Sequence, residues 1–166
     1  MSYKDSNLNT KFALFRNDLH NEIYYDYYSN FGYGNNINLN RTRHEGVEAH
    51  IGCQLTSILK IAANYSYTEA TFTEGQYSGN YLASVPKHIG NVQATLDENI
   101  YGKYSAQLNY VGSRYFTNDY LNEMPKMPSY LTLDLKASWN IKPVILSLLA
   151  MNVTDKKYSP SGVSVD

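Results

Sequence analysis

Leu131-Thr-Leu-Asp-Leu-Lys-Ala-Ser-Trp-Asn-Ile141 carries an apolar side chain at every odd position and a polar or charged one at every even position. In an extended chain successive side chains point to opposite faces, so this stretch is a strand with one greasy and one wet surface. At about 11 residues it is long for a soluble strand and suits a tilted strand crossing a bilayer. The alternation returns upstream. Val47, Ala49, Ile51, Cys53 and Leu55 alternate with Glu48, His50 and Gln54. Leu59, Ile61, Ala63, Tyr65 and Tyr67 oppose Lys60, Asn64, Ser66 and Thr68. Val92, Ala94 and Leu96 oppose Asn91, Gln93 and Thr95, while Tyr104, Ala106, Leu108 and Tyr110 oppose Ser105, Gln107 and Asn109.

Seven segments read as strands: 8–27 with the weakest alternation, then 37–55, 59–68, 88–96, 104–110, 131–141 and 144–158. The last is apolar on both faces around Ile145 to Met151, so its period assigns no lipid face. Thr56-Ser57, Asp97-Glu98-Asn99 and Lys142-Pro143 are tight turns, whereas 29–36, 69–86 and 116–129 are long and rich in turn formers. Short turns on one rim and long loops on the other describe an outer-membrane barrel. A soluble up-and-down barrel has the same rhythm with its apolar face turned inward. Tyr65, Tyr67, Tyr104, Tyr110 and Trp139 fall near strand ends, as in an aromatic girdle, and favour the membrane version.

Composition agrees with this and narrows the function. Among 166 residues, 17 tyrosines suit strands and the membrane–water boundary. A net charge of −1 with scattered Lys and Arg gives no footprint for nucleic acid. A mean hydropathy of −0.46 and no long apolar run exclude a helical span but not a barrel, whose inward residues are polar. Cys53 is the sole cysteine and reads as a small hydrophobe. No Gly-x-Ser-x-Gly, phosphate-cradling glycine loop or His-Glu-x-x-His is present, so the chain is not read as an enzyme and no cofactor is expected.

Six motifs, in one order and over nearly the whole chain, resemble the C-terminal barrel segment of TonB-dependent outer-membrane receptors. Ala13-Leu-Phe-Arg-Asn-Asp-Leu-His-Asn-Glu-Ile23 is similar to that family's strand ending in D-x-x-N-x-I. Arg43-His-Glu-Gly-Val-Glu48 resembles its Gly-Val/Ile-Glu element, Asn64-Tyr-Ser-Tyr-Thr68 its upward strand and Val85-Pro-Lys-His88 its x-P-x-H. Tyr110-Val-Gly-Ser-Arg114 resembles Y-x-G-x-R, and Asn152-Val-Thr-Asp-Lys-Lys-Tyr158 resembles the element of the next-to-last strand.

The resemblance implies an all-β fold: about seven antiparallel strands of a larger, 22-stranded type of transmembrane barrel, incomplete at both ends. Tyr3-Lys4 looks like the tail of an earlier strand, turning at Asp5-Ser6-Asn7, and Gly162-Val-Ser-Val-Asp166 stands where the family continues into one more strand. Residues 1–166 are thus expected to be a barrel segment without plug domain or signal peptide, one that misfolds, aggregates or needs detergent when isolated. The implied function is uptake of a scarce nutrient, foremost a ferric siderophore, across the bacterial outer membrane. The implied partners are outer-membrane lipid, the plug and the TonB complex. A complete eight-stranded structural or adhesive barrel is the alternative.

Two sets of residues are candidates for function. Phe72, Tyr77, Tyr81, Tyr115, Phe116 and Tyr120 lie in the long loops and could stack on a ligand. Glu48, His50, Lys60, Asn64, Asp134 and Lys136 lie on wet faces, where lumen lining and ordinary cross-strand pairing both account for them. His20, His44, His50 and His88 sit on separate segments without ligand spacing, and read as solvated or lumen-wall side chains rather than a metal site. Gly46, beside Glu48 in mid-strand, eases the curvature of a barrel wall, with a bulge or a close approach to a plug as the alternatives.

Overall fold

The computed structural model describes residues 1–5, 7–98 and 102–163. Ser6, Asn99 and the final Ser164–Asp166, which the sequence reading assigns to turns and to the chain end, lie outside the described residues. Eight strands follow in chain order: β1 Ser2–Lys4, β2 Leu8–Asp26, β3 Asn35–Gln54, β4 Leu59–Phe72, β5 His88–Asp97, β6 Lys103–Val111, β7 Tyr130–Ile141 and β8 Val144–Ala150. Each pairs antiparallel with its chain neighbour, in one sheet ordered β1 to β8. Among the described residues the sheet does not close, because β1 and β8 are its two edges.

Register carries the two-residue period from strand to strand. Leu133 of β7 opposes Leu108 of β6, which opposes Val92 of β5, then Ala63 of β4 and Ile51 of β3. One face is therefore apolar across the sheet. Many of its members stand open: Ile51, Val92, Leu108 and Leu131 are 43–49% exposed. An apolar surface this continuous is uncommon on a soluble protein and suits a strand face turned to a bilayer. Along β4 the band runs from Leu59 to Tyr67, about 20 Å of height for strands tilted about 40°. Tyr104 packs edge-on to Trp139 at the turn rim, ring centroids 6.2 Å apart. At the loop rim the Tyr65 hydroxyl lies 2.7 Å from Nδ1 of His88, whose ring also meets that of Tyr67. His88 is thus on the apolar side among girdle residues, not on the polar wall. The same register settles β8: Val144, Leu146 and Leu148 oppose Ile141, Trp139 and Ala137 on the apolar face, leaving Ile145, Ser147 and Leu149 on the other.

Tyr3-Lys4, expected as the tail of an earlier strand, is paired and brings the strands to eight. Two boundaries differ from the sequence reading. Phe72 ends β4 instead of sitting in a loop, and is 4% exposed. Finally, β8 stops at Ala150 although 144–158 was expected to be strand. Asn152 and Asp155 adopt φ of 48° and 49°, and the Asn152 side chain bonds both N and O of Lys156 at 3.0 Å. That local loop replaces the strand, because Asn and Asp tolerate the left-handed region and satisfy nearby backbone with their own side chains.

Gly46 sits against β4 of its own sheet with the register unbroken on both sides, so it marks no bulge. A Cβ there would lie 1.9 Å from the Tyr67 carbonyl oxygen and 3.0 Å from the Phe15 ring, so neither β4 backbone nor that ring leaves room for a side chain.

Candidate functional site

At the loop rim the regular period breaks and a small core forms on the polar side of the sheet. Thr42 opposes Phe72 and His44 opposes Ala70, so these four side chains share a face. Leu39 packs with Ala70, Phe72 and Leu82, although strict alternation would send it to the opposite side from Thr42. On β2, Asn21 has φ of 57°, and the next residue, Glu22, reaches Thr42 Oγ1 and His44 Nε2 with its carboxylate. The ladder passes from His20–Arg41 to Glu22–Leu39 without a shift of register, and between these pairs β2 and β3 exchange faces. Beyond it Tyr24 and Ile37 turn inward and pack against the same cluster.

The loop 112–129 ties this core to its neighbours. The buried Asp119 carboxylate accepts from the backbone N–H groups of Glu123 and Met124 at 3.0 and 3.2 Å. Asn122 substitutes for a strand: its Oδ1 accepts from Tyr81 N at 2.7 Å and its Nδ2 donates to Tyr81 O at 3.0 Å. Asn80 Nδ2 donates to Tyr120 O at 2.8 Å, and Asn118 Nδ2 donates to Asp26. Loops separated by up to 92 residues are thereby held as one unit.

The six loop aromatics fall into three groups rather than one. Phe72, Tyr77 and Tyr120 converge: Tyr77 stacks on Tyr120 at 5.1 Å and 24°, and Phe72 lies 5.6 and 6.1 Å from the two rings. Tyr24, which the sequence reading did not select, completes this group 5.8 Å from Tyr120. Burial pushes the Tyr120 hydroxyl well above the usual phenol range, with Asp26, Tyr24 and Tyr77 adding to it. Tyr81 and Tyr115 stack at 6.3 Å, with Lys87 3.8 Å over the first ring and Lys126 4.6 Å over the second. Phe116 lines a cavity of about 460 Å³ with Tyr130, Tyr158, Lys156 and Lys157. Tyr130 and Tyr158 stack there at 4.1 Å. Arg114, 4% exposed, pins the chain after β8 to this cavity by donating to the carbonyls of Ser159 and Pro160.

The six wet-face candidates do share one face. His50 Nδ1 is 2.7 Å from Asn64 Oδ1, and Asn64 Nδ2 donates to Asn91 Oδ1 at 3.0 Å, a polar chain across β3, β4 and β5. Glu48 neighbours this chain through its register partner Ser66. Asp134 accepts from Asn109 Nδ2 at 2.8 Å and from Asn152 N at 2.7 Å. Lys60 and Lys136 join through Thr95 and Ser105, nearer the turn rim.

Comparison with known proteins matches this architecture. The chain is 28% identical, over 97% of its length, to an uncharacterised TonB-dependent receptor of Haemophilus influenzae, of which it spans half. The siderophore receptor PiuA from Acinetobacter baumannii superposes over 97% of the chain with a TM-score of 0.72 at 24% identity. The ferric yersiniabactin uptake receptor FyuA from Yersinia pestis does so over 99% with 0.74 at 20%. The chain covers 24% of PiuA and 25% of FyuA, and at these identities the likeness shows the fold alone. The family model described as TonB dependent receptor-like, beta-barrel matches residues 1–154. The chain belongs to the TonB-dependent receptor β-barrel family, whose place is the bacterial outer membrane.

Proposed function

We propose that the chain forms part of the wall and loops of an outer-membrane receptor that takes up a scarce nutrient, foremost a ferric siderophore, energised through TonB. The observation that carries this reading is the gathering of three long loops into aromatic groups directly above a polar wall, with an apolar band behind it. In this reading Phe72, Tyr77 and Tyr120 form a rigid floor, and Tyr81, Tyr115 and Phe116 offer rings and cations to an incoming ligand. Glu48, His50, Asn64 and Asp134 line the lumen and hold a plug domain by hydrogen bonds. The descriptions of PiuA as a siderophore receptor and of FyuA as a ferric yersiniabactin uptake receptor support this ligand class. The open sheet disfavours the eight-stranded structural barrel, which needs β1 to pair with β8.

The test is uptake of radioactive iron by a receptor-deleted strain carrying this gene, supplied with catecholate or hydroxamate ferric chelates, with and without functional TonB. TonB-dependent uptake of at least one chelate is the expected result. Surface-exposed protein with no uptake of any chelate removes the siderophore reading, and uptake indifferent to TonB removes the energisation.

A further inference from the structure

Toward the turn rim the polar face ends in a basic recess of about 310 Å³ that the loop chemistry leaves unused. Three lysines on three strands, Lys60, Lys103 and Lys136, line it. Register explains the convergence. Lys60 opposes Thr95, Thr95 opposes Ser105 and Ser105 opposes Lys136, so two ammonium groups end a cross-strand row of hydroxyls. Lys103 opposes Ser138 two residues along, on the same face.

Carboxylates are near but committed elsewhere. Asp97 pairs with Lys103 at 3.2 Å, and Asp134 is taken by Asn109 and the Asn152 N–H. Among the described residues Lys60 and Lys136 make no ion pair. Lys60 and Lys136 stand three strand spacings apart, about 14 Å between their backbones, so both ammonium groups reach one small anion set between them when their side chains extend along the row. Each ammonium brings three donors, and Thr95, Ser105, Ser138 and Gln93 add neutral ones. Among the described residues no aromatic ring lines the recess, in contrast to the loop rim, so those residues offer charge rather than ring stacking.

We propose that this recess is an anion site for a compact solute carrying two or three carboxylate or phosphate groups. It rests on the reading of the polar face as a lumen wall, and adds to it a second station at the far end from the loop aromatics. An anionic cargo leaving the aromatic end would meet it on the way out.

Citrate is the probe, titrated calorimetrically into the protein purified in detergent within the longest chain its gene encodes. The expected result is one saturable site whose dissociation constant rises about tenfold in Lys60→Gln and in Lys136→Gln, as for loss of a charge-assisted contact. Lys142→Gln, in the β7–β8 turn and outside the recess, should leave it unchanged. Citrate should also slow amine-reactive labelling of Lys60 and Lys136 in the unaltered protein, a readout that needs no variant to fold. Equal affinity in all variants, or an equal loss in Lys142→Gln, overturns the proposal. Because binding is read without transport, failed uptake with intact citrate binding would count against the receptor reading alone.

Discussion

The sheet below the girdle and the loop rim above it are built by opposite means. In the sheet, one residue's place is set by its parity, and five strands repeat the same row from Leu133 to Ile51. At the rim, place is set by individual bonds such as Asn122 to Tyr81 and Asn118 to Asp26, between residues 41 and 92 apart in the chain. The first arrangement tolerates any residue of the right polarity. The second depends on particular side chains and is rigid only while they all hold. The division lets the loops diverge in sequence while the wall keeps its alternating faces.

The sharpest way to break the contrast is to change polarity within one strand. Leu108→Arg puts a charge on the lipid face at mid-band, with an expected cost of about 2–4 kcal/mol. Gln107→Arg, next to it on the polar face, should cost under about 0.5 kcal/mol, as for an ordinary surface change. Urea unfolding in lipid vesicles measures both. Equal costs would mean that the apolar face does not meet lipid.

Where the sheet does depend on one residue, it is through space rather than polarity. Gly46→Ala drives a methyl group into the Tyr67 carbonyl and the Phe15 ring, and should destabilise by about 1–3 kcal/mol. Phe15→Ala beside it removes only the ring contact. If it restored full stability to Gly46→Ala, the backbone clash would not be the cause. At the rim the comparable test is a cycle on Tyr77 and Tyr120, whose stacking predicts a coupling of about 0.5–1.5 kcal/mol.

The same division decides what could be read from sequence. β7 was legible because its period is unbroken and both its faces are pure. β2 was the weakest segment for a definite reason: its period reverses at Asn21, so Leu19 and Glu22 are governed by different phases. The lipid face of β8 became assignable through Trp139 and Ala137, its register partners, and not through its own apolar run. The shared face of Glu48, His50, Lys60, Asn64, Asp134 and Lys136 followed from parity. The grouping of the aromatics did not, because nothing in the spacing of Tyr24, Tyr77 and Tyr120 foretells that they touch. Asn118-Asp119-Tyr120-Leu121-Asn122 held the usable hint: two asparagines at φ of 72° and 60° around an aspartate that caps the next turn.

The smallest effect tests how finely the rim is built. The Tyr120 hydroxyl is buried with no hydrogen-bond partner among the described residues, and its ionisation is pushed upward chiefly by that burial. A group whose folded value is raised contributes stability that is complete below the unfolded value of 10.0 and is lost as pH rises past it. Near-ultraviolet dichroism of the loop tyrosines should therefore be flat to about pH 10 and then collapse, while the far-ultraviolet strand signal persists. Tyr120→Phe removes both the orphaned hydroxyl and its titration. It should be neutral to about 1 kcal/mol stabilising at pH 7, and should move the alkaline transition upward. A destabilised Tyr120→Phe would show that the hydroxyl is held by a bond, and that the rim is tied through Tyr120 as firmly as through Asp119.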